Sequence, residues 1–354
     1  MPFSTLFSLF MKKLLIAFCL IFLVSGHSRV FGQIPFIVNG IKYNFCNALY
    51  TGERGLEVLP GDIKYSGNVV IPAYITLADK TYPVIKLAAK AFAYCDELTS
   101  VSLPETLTQL DEYAFTYCPS ITYIKIPDSV IQMGYGDFSY CDNLKRVILP
   151  SGCNLIAGCF FSHSERLSDI HIPWGYETLR LSVFSNCYSL ENIEIPSSVN
   201  SIGPECFNNC KSLKKVVLGT SKSGKMEPAS GTLLFDGISR VFKNCENLKE
   251  IYSLYLQPPY KKDSADQPFS DYVYENAILY IPESALEDYQ NSPIWSKFLN
   301  IRTMEFNDGV ESVFMETDRE NPVYIDTKGV INSSPVPGIN IMVSPDGSTK
   351  KIIN

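Results

Sequence analysis

The sequence predicts a mainly β solenoid in which one coil of 23 residues is stacked on copies of itself. Three observations carry that expectation. First, Phe92, Phe115, Phe138, Phe161, Phe184 and Phe207 are each 23 residues apart, and Cys95, Cys118, Cys141, Cys187 and Cys210 follow three residues later, with Ser164 the one exception. Second, a leucine-like residue comes next (Leu98, Ile121, Leu144, Leu167, Leu190, Leu213), and then "VSLP", "IKIP", "VILP", "IHIP", "IEIP" and "VVLG". Alternating apolar and variable positions mark a short strand with one buried face. Proline has no N–H to donate and closes its ladder. Third, no single coil can bury its own phenylalanine, leucines and valine, whereas stacked coils bury one continuous core. A buried phenylalanine or leucine contributes about 1.5–3 kcal/mol, so each coil depends on its neighbours.

The remaining elements follow in chain order. "MKKLLIAFCLIFLVSG", from Met11, has two lysines, an apolar run from Leu14 to Val24 and then small residues, the pattern of a Sec signal peptide. Residues 1–32 are assigned to it, with Gly26 and Gly32 both suitable cleavage points. The run is short for a membrane span, so the expectation is export, to the cell surface or medium, with no membrane insertion of the mature chain. Residues 33–90 read as an N-terminal capping region with a first irregular repeat: "VVIP" at 69–72 ends a strand and "YITLADKTYPVIKLAAKAF" is a long return. Residues 91–302 carry the repeats, and apolar pairs such as Leu107 and Leu110, or Val199 and Ile202, form the return side of each coil. Phe242, Cys245, Leu248 and Ile251 restate the register after a 12-residue insertion, "TSKSGKMEPASG" (220–231), whose Gly and Ser content predicts a protruding loop. "LQPPYKKDSADQPF" reads as a proline-rich loop, "AILYIP" (277–282) as the last strand, and "ESALEDYQNSPIWSKFLNI" as a short amphipathic helix capping the stack. Residues 303–354 drop the period; "NPVYIDTKGVINSS" and "GINIMVSPDGSTKKIIN" predict short strands joined by Asn, Gly and Asp-Gly turns, a small β unit.

These phrases resemble the BspA-like leucine-rich repeat family of secreted and surface proteins, typical of Bacteroidetes, related anaerobes and some protozoa. The "F-x-x-C-x-x-L-x-x-V-x-L-P" repeats carry the resemblance, with the entry "NVVIPAYITLADKTYPVIKLAAKAF" and the exit "PP…F…AILYIPESALEDYQNSPIW", over roughly residues 65–302. The tail "VYIDTKGVINSSPVPGINIMVSPDGSTKKI" is similar to the C-terminal β segment of many exported Bacteroidetes proteins, which sometimes serves as a sorting or attachment signal. The resemblance implies a right-handed leucine-rich-repeat solenoid with short helical or 3-10 turns, irregular caps and a small C-terminal β unit. It also implies adhesion or binding and no catalytic residues. Ser164 in the cysteine column, Gly219 in the proline column and the 220–231 insertion depart from the pattern.

Composition narrows the function. The 354 residues are 46% hydrophobic and 19% charged, which suits folded protein. Beyond residue 32 the chain holds 27 basic and 37 acidic residues, a net charge of −10. An acidic surface repels phosphate backbones, which argues against nucleic acid as a partner. Six of the eleven cysteines (95, 118, 141, 187, 210, 245) occupy one repeat column, where small buried thiols suit a tight turn stacked on its copy. Cys46, Cys153, Cys159 and Cys206 lie outside it, and one disulfide among them is open. With no C-x-x-C and only His163 and His171 after residue 32, no metal site and no cofactor are expected. No nucleophile elbow, phosphate loop, HExxH or dinucleotide fingerprint is present, so no enzyme is expected; a glycan hydrolase would need a cleft with two carboxyl groups roughly 5 to 9.5 Å apart.

What remains readable is the outward face of the strands. Its positions give Ser100 and Ser102, Tyr123 and Lys125, Arg146 and Ile148, Asp169 and His171, Asn192 and Glu194, Lys215 and Val217, and Glu250 and Tyr252. At strand spacing of about 4.8 Å they form a mixed ribbon. Tyrosine and arginine are favoured in contacts, so Tyr123, Lys125, Arg146, His171, Asn192, Glu194 and Tyr252 are the candidate residues for a protein or glycan ligand. The loops at 220–231 and 257–268 are rival sites. A purely structural or spacer role in a surface assembly is the alternative.

Overall fold

Each coil is held to the next chiefly by backbone hydrogen bonds that run along the axis of the stack. The computed structural model describes residues 34–48, 52–236, 240–261 and 267–304, with the backbone of four further strands between 323 and 353. The expected signal peptide lies outside the described residues. Strands β1 (Phe36–Val38), β2 (Ile41–Asn47) and β3 (Arg54–Val58) form an antiparallel meander. β4 (Gly67–Val70) enters the repeats, and the long return after it is a hairpin of β5 (Tyr74–Leu77) and β6 (Lys80–Leu87). β6 lies parallel to β3, joining the cap to the coils.

The V-x-L-P segments form parallel strands: β7 (Leu98–Ser102) on β4; β9 (Tyr123–Lys125), β10 (Arg146–Ile148) and β12 (Asp169–Ile170); then β14 (Asn192–Pro196), β16 (Lys215–Thr220), β18 (Glu250–Ser253) and β20 (Ile278–Pro282). The return side forms a second parallel ribbon from two-residue strands: β11 (Leu155–Ile156), β13 (Thr178–Leu179), β15 (Ser201–Ile202), β17 (Leu234–Phe235) and β19 (Tyr260–Lys261); β8 (Gln109–Leu110) pairs with β6. Such short strands suit a coil of only 23 residues that must turn twice.

The phenylalanine column is one stack of parallel rings. Centroids of Phe92, Phe115 and Phe138 are 5.1 and 5.0 Å apart, with planes within 8°. The step from Phe138 to Phe161 opens to 6.1 Å and 24°, because Phe160 is the one aromatic ring at the position before the column and wedges edge-on against both. The stack then runs through Phe184, Phe207 and Phe242 to Phe269, whose ring lies 5.1 Å from that of Phe242. The proline-rich segment read as a loop therefore contains another member of the column. Tyr65 covers one end of the stack, and Trp295 and Phe298 close the other edge-on. All these phenylalanines are buried.

The cysteine column has a definite task. Each phenylalanine carbonyl accepts the thiol of the next coil: Cys118 to Phe92 at 3.0 Å, Cys141 to Phe115 at 3.1 Å, Cys187 to Phe161 at 3.3 Å, Cys210 to Phe184 at 3.1 Å and Cys245 to Phe207 at 3.0 Å. Ser164 does the same with its hydroxyl, to Phe138 at 2.6 Å. The exception in the sequence is thus no exception in chemistry: the position needs a small side chain that donates. Cys46, Cys153, Cys159 and Cys206 are free as well, so the disulfide left open among them does not form.

Between consecutive coils the corner donates three backbone N–H groups. Tyr113, Phe115 and Tyr117 reach the carbonyls of Tyr135, Asp137 and Ser139, and the pattern recurs along the stack. Asp137 stands where other coils have a small or apolar residue. It is fully buried, and its two carboxyl oxygens accept the N–H groups of Ala114 (3.0 Å) and Gly134 (2.8 Å). Gly134 has to be glycine, because a Cβ there would collide with the backbone of Asp111 and Glu112.

The exit differs from the expectation in two respects. After α1 (Asp271–Asn276, capped by Ser270) and β20, the segment predicted to cap the stack supplies a 3-10 turn (Glu283–Ala285), α2 (Leu286–Asn291) and a second 3-10 turn (Trp295–Lys297). It does not end the stack: β21 (Asn300–Met304) follows and pairs parallel with β20, so the helix is the return side of a further coil and "AILYIP" is not the last strand. Its aromatics fasten it from within: Trp295 Nε1 donates to the Pro259 carbonyl at 2.6 Å and the Tyr289 hydroxyl to that of Tyr255 at 3.0 Å. Nearer the C-terminus, β22 (Val323–Asp326), β23 (Ile331–Asn332), β24 (Ile339–Val343) and β25 (Thr349–Ile353) form an antiparallel sheet in the order β23-β22-β24-β25.

Two outcomes follow from this packing. Cys141→Ala should destabilise the chain by about 1–3 kcal/mol in chemical denaturation, the cost of a buried carbonyl left without its partner, and Cys141→Ser should lose much less. Burial raises the Asp137 carboxyl to about 8 against the two N–H bonds that lower it. The folded state then holds a proton that the unfolded chain releases near pH 4. The contribution of Asp137 to stability should be fully present in acid and decline as pH rises towards 8, and Asp137→Asn should remove that part of the pH dependence in melting temperatures taken from pH 4 to 9.

Candidate binding surface

The predicted surface residues lie on one side of the coils, divided between two sheets. In the first sheet Tyr123, Arg146 and Asp169 are register partners across β9, β10 and β12, and Lys125 lies opposite Ile148. His171 is exposed just beyond the end of β12. In the second sheet Asn192, Lys215 and Glu250 are aligned across β14, β16 and β18, as are Glu194, Val217 and Tyr252.

Tyr123 is the member with the clearest electrostatic signature. Its hydroxyl is buried and has no hydrogen-bond partner among the described residues. Burial raises the phenol above its ordinary value, with Arg146 opposing and Asp169 adding to the shift. Arg146 Nε lies 3.2 Å from the Asp169 carboxylate, so a cation and an anion stand in line beside the phenol. A buried hydroxyl without a partner costs about 1–3 kcal/mol.

The second sheet is partly covered. Val217, read as an outward position, is fully buried beneath Met226 of the 220–231 insertion, with Leu254, Tyr252 and Met304 completing the cluster. The insertion is therefore not a protruding loop but a strap folded over the strands. Met226 supplies the apolar contact that the Gly and Ser content concealed, and Ala229 is fixed by hydrogen bonds to the backbone of Leu254 and Leu256. At its start, Lys222 places its ammonium 5.2 Å from the ring of Trp174, which is 47% exposed. Tyr252 stacks on Tyr280 at 4.4 Å while Lys215 lies 4.7 Å above the Tyr252 ring. Burial lowers the Lys215 ammonium and raises the Tyr252 phenol. The open part of the face thus runs from Tyr123 to Glu194, bounded by Trp174 and the strap.

Neither Trp174 nor Tyr280 was named from the sequence. Trp174 directly follows "HIP", where the other coils have small or polar residues, and that single substitution was a readable signal. A cavity of about 290 Å³ lies on the return ribbon, lined by Thr178, Arg180, Ser201, Pro204 and Asp236 among others. Among the described residues no helix is long and apolar enough to cross a membrane, and no three His, Cys, Asp or Glu side chains converge as metal ligands would.

The profile of the BspA type leucine rich repeat region matches six consecutive copies in this chain. Residues 85–214 are a BspA-type leucine-rich repeat region. The structure carries the same coil past the matched range, through Phe242 and Phe269 to β21. Solved structures similar to the chain are also leucine-rich repeat proteins. One from Bacteroides ovatus is 20% identical, covering 72% of this chain and 80% of its own (TM-score 0.37). One from Treponema pallidum is 24% identical, covering 62% and 83% (TM-score 0.41), and a leucine rich cell surface protein from Faecalibacterium prausnitzii is 18% identical, covering 78% and 96% (TM-score 0.25). No curated protein matches the sequence.

The strap has a direct test. Met226→Ser removes the apolar contact that seats it, so trypsin should cut after Lys222 and Lys225 several-fold faster in the variant, with the coils themselves remaining resistant.

Proposed function

We propose that this chain is an exported binding protein whose open strand face, centred on Tyr123, Arg146 and Asp169, holds a protein or glycan ligand. The observation that carries the reading is the buried Tyr123 hydroxyl beside an aligned cation and anion, with no hydrogen-bond partner among the described residues. A rigid parallel sheet keeps these groups in place without ordering cost, which favours recognition over mere solubility. The arrangement suits a ligand that offers a hydrogen-bonding group to the phenol and a charge or dipole to Arg146 and Asp169. Lys125, His171, Asn192 and Glu194 extend the polar surface, and Trp174 with Lys222 forms its rim. Export is supported by the N-terminal cationic and apolar run in the sequence, and the repeat type accords with a surface location.

The test is binding of the purified chain to an array of extracellular matrix proteins, mucins and glycans. Saturable binding to one member is expected. Tyr123→Phe, which removes only the hydroxyl, should weaken it about 3- to 10-fold, the value of one hydrogen bond. The combined change of Tyr123, Lys125 and Arg146 to alanine should abolish it. Binding untouched by both variants would place the ligand elsewhere and refute the reading.

A further inference from the structure

A second, unrelated column of side chains runs along the corner of the coils, at the position just before each cysteine. In chain order it holds Tyr94, Tyr117, Tyr140, His163, Asn186, Asn209 and Asn244, and each has a positive φ between 56° and 63°. That left-handed conformation suits asparagine and is unfavourable for a bulky ring. The last three coils use asparagine and the fourth histidine, both suited to this conformation, whereas the first three use tyrosine against local preference. Where a chain breaks a local rule in consecutive repeats, the exposed result is a candidate for function.

The four rings form one exposed stack. Tyr94 and Tyr117 have centroids 4.9 Å apart and planes 12° apart, Tyr117 and Tyr140 4.4 Å and 3°, and Tyr140 and His163 4.4 Å and 6°. The tyrosines remain 51%, 39% and 36% exposed. Beyond the rings the column continues as an amide chain: Asn209 donates to Asn186 Oδ1 at 2.5 Å, and the Asn186 amide lies 3.1 Å from His163 Nε2. Every ring face inside the stack is covered by its neighbour, so the strip offers ring edges and phenol oxygens instead of open faces. That excludes stacking against a sugar ring or burying a cation on a ring face.

Two residues after Tyr94, Tyr140 and His163 come Asp96, Asp142 and Glu165, all exposed, so carboxylates form a margin beside the strip. At the Tyr94 end of the strip stands a cation, Lys64, which donates to the Ala93 carbonyl at 2.7 Å and lies 5.6 Å from the Tyr94 ring. The Tyr117 phenol is raised above its ordinary value by desolvation first, then by Tyr140 and Tyr94, with Asp142 adding to it. Acceptor oxygens and carboxylates in a line call for a ligand rich in donors and positive charge. Arginine fits best, because its planar fork of five N–H groups can bridge neighbouring acceptors.

We propose that the ring stack Tyr94–Tyr117–Tyr140–His163, with the carboxylates Asp96, Asp142 and Glu165 at its margin, is a docking strip for an extended arginine-rich segment of a partner protein. The strip spans three ring intervals, a length covered by about four or five extended residues. Its rings are already fixed by stacking, so contact with them immobilises little. A second copy of the chain is disfavoured as occupant, because it would bring the same acidic margin against this one. The proposal does not depend on the strand-face reading.

The probe is fluorescein-labelled nona-arginine, followed by anisotropy at 0.15 M salt with the purified chain. Saturable binding is expected. The combined change Tyr94→Asn, Tyr117→Asn and Tyr140→Asn should weaken it at least 10-fold. The fold should tolerate these changes, because asparagine already serves this column in three coils, and an unaltered melting temperature would verify that. Asp96→Asn, Asp142→Asn and Glu165→Gln together should weaken binding to a similar extent. No saturable binding would overturn the proposal. So would binding that depends on the carboxylates but survives the tyrosine changes, since that is attraction to an acidic surface only.

Discussion

The whole structure depends on one repeated constraint: every coil must satisfy its backbone on the coil beside it. At the corner, three N–H groups per coil donate forward along the axis, and the phenylalanine carbonyl that this ladder leaves over accepts a thiol or hydroxyl from the next coil. Unpaired backbone groups in such a buried place are costly, so the spacing of the coils is fixed at that of neighbouring strands. The ring stack of phenylalanines, at 5.0 to 5.5 Å over most of its length, is then a consequence of the hydrogen-bond ladder as much as a cause of cohesion. The wedge of Phe160 shows how far the rings can yield, to 6.1 Å, while the ladder around them continues.

This hierarchy explains which parts of the molecule were legible in the sequence. The coil itself was readable because its demands recur: a large ring, a small donor, a leucine and an alternating strand appear in register, and chance does not produce five equal intervals. Phe269 was missed because the cysteine and leucine that announce the other copies are absent after it; α1 takes the place of the usual corner. β21 was missed for a related reason, since "NIRTM" carries no V-x-L-P signature, although it pairs with β20 in parallel. The strap was misread because its composition is that of a loop, and a single methionine decides where it rests.

The surface was legible only in part. Alternation along the strands set Tyr123, Lys125 and Arg146 on one face, and it predicted Val217 to face outward as well. Direction from the sheet was therefore readable, whereas cover by a distant segment was not. The tyrosine column at 94, 117 and 140 was visible in the repeated "AYC", "TYC" and "SYC". Its meaning rests on a positive φ, which sequence spacing does not express. The pairing of Arg146 with Asp169 and the unpartnered Tyr123 hydroxyl are likewise relations between coils, set by register rather than by either coil alone.

The thiol column also bears on how the chain must reach its folded form. All ten cysteines from Cys46 to Cys245 are free in the finished structure, and the column members are sealed within it. In the extended chain the same thiols are open to solvent, and most neighbouring pairs in the column are separated by only 23 residues, a loop short enough to close readily. Wherever oxidants are present, assembly is therefore a race between stacking and wrong crosslinking. Growth from one finished coil favours stacking, because each new coil hides its sulfur as it docks. Ser164, midway along the column, breaks its run of oxidisable neighbours in two, so within the column no thiol of that coil can crosslink to either side.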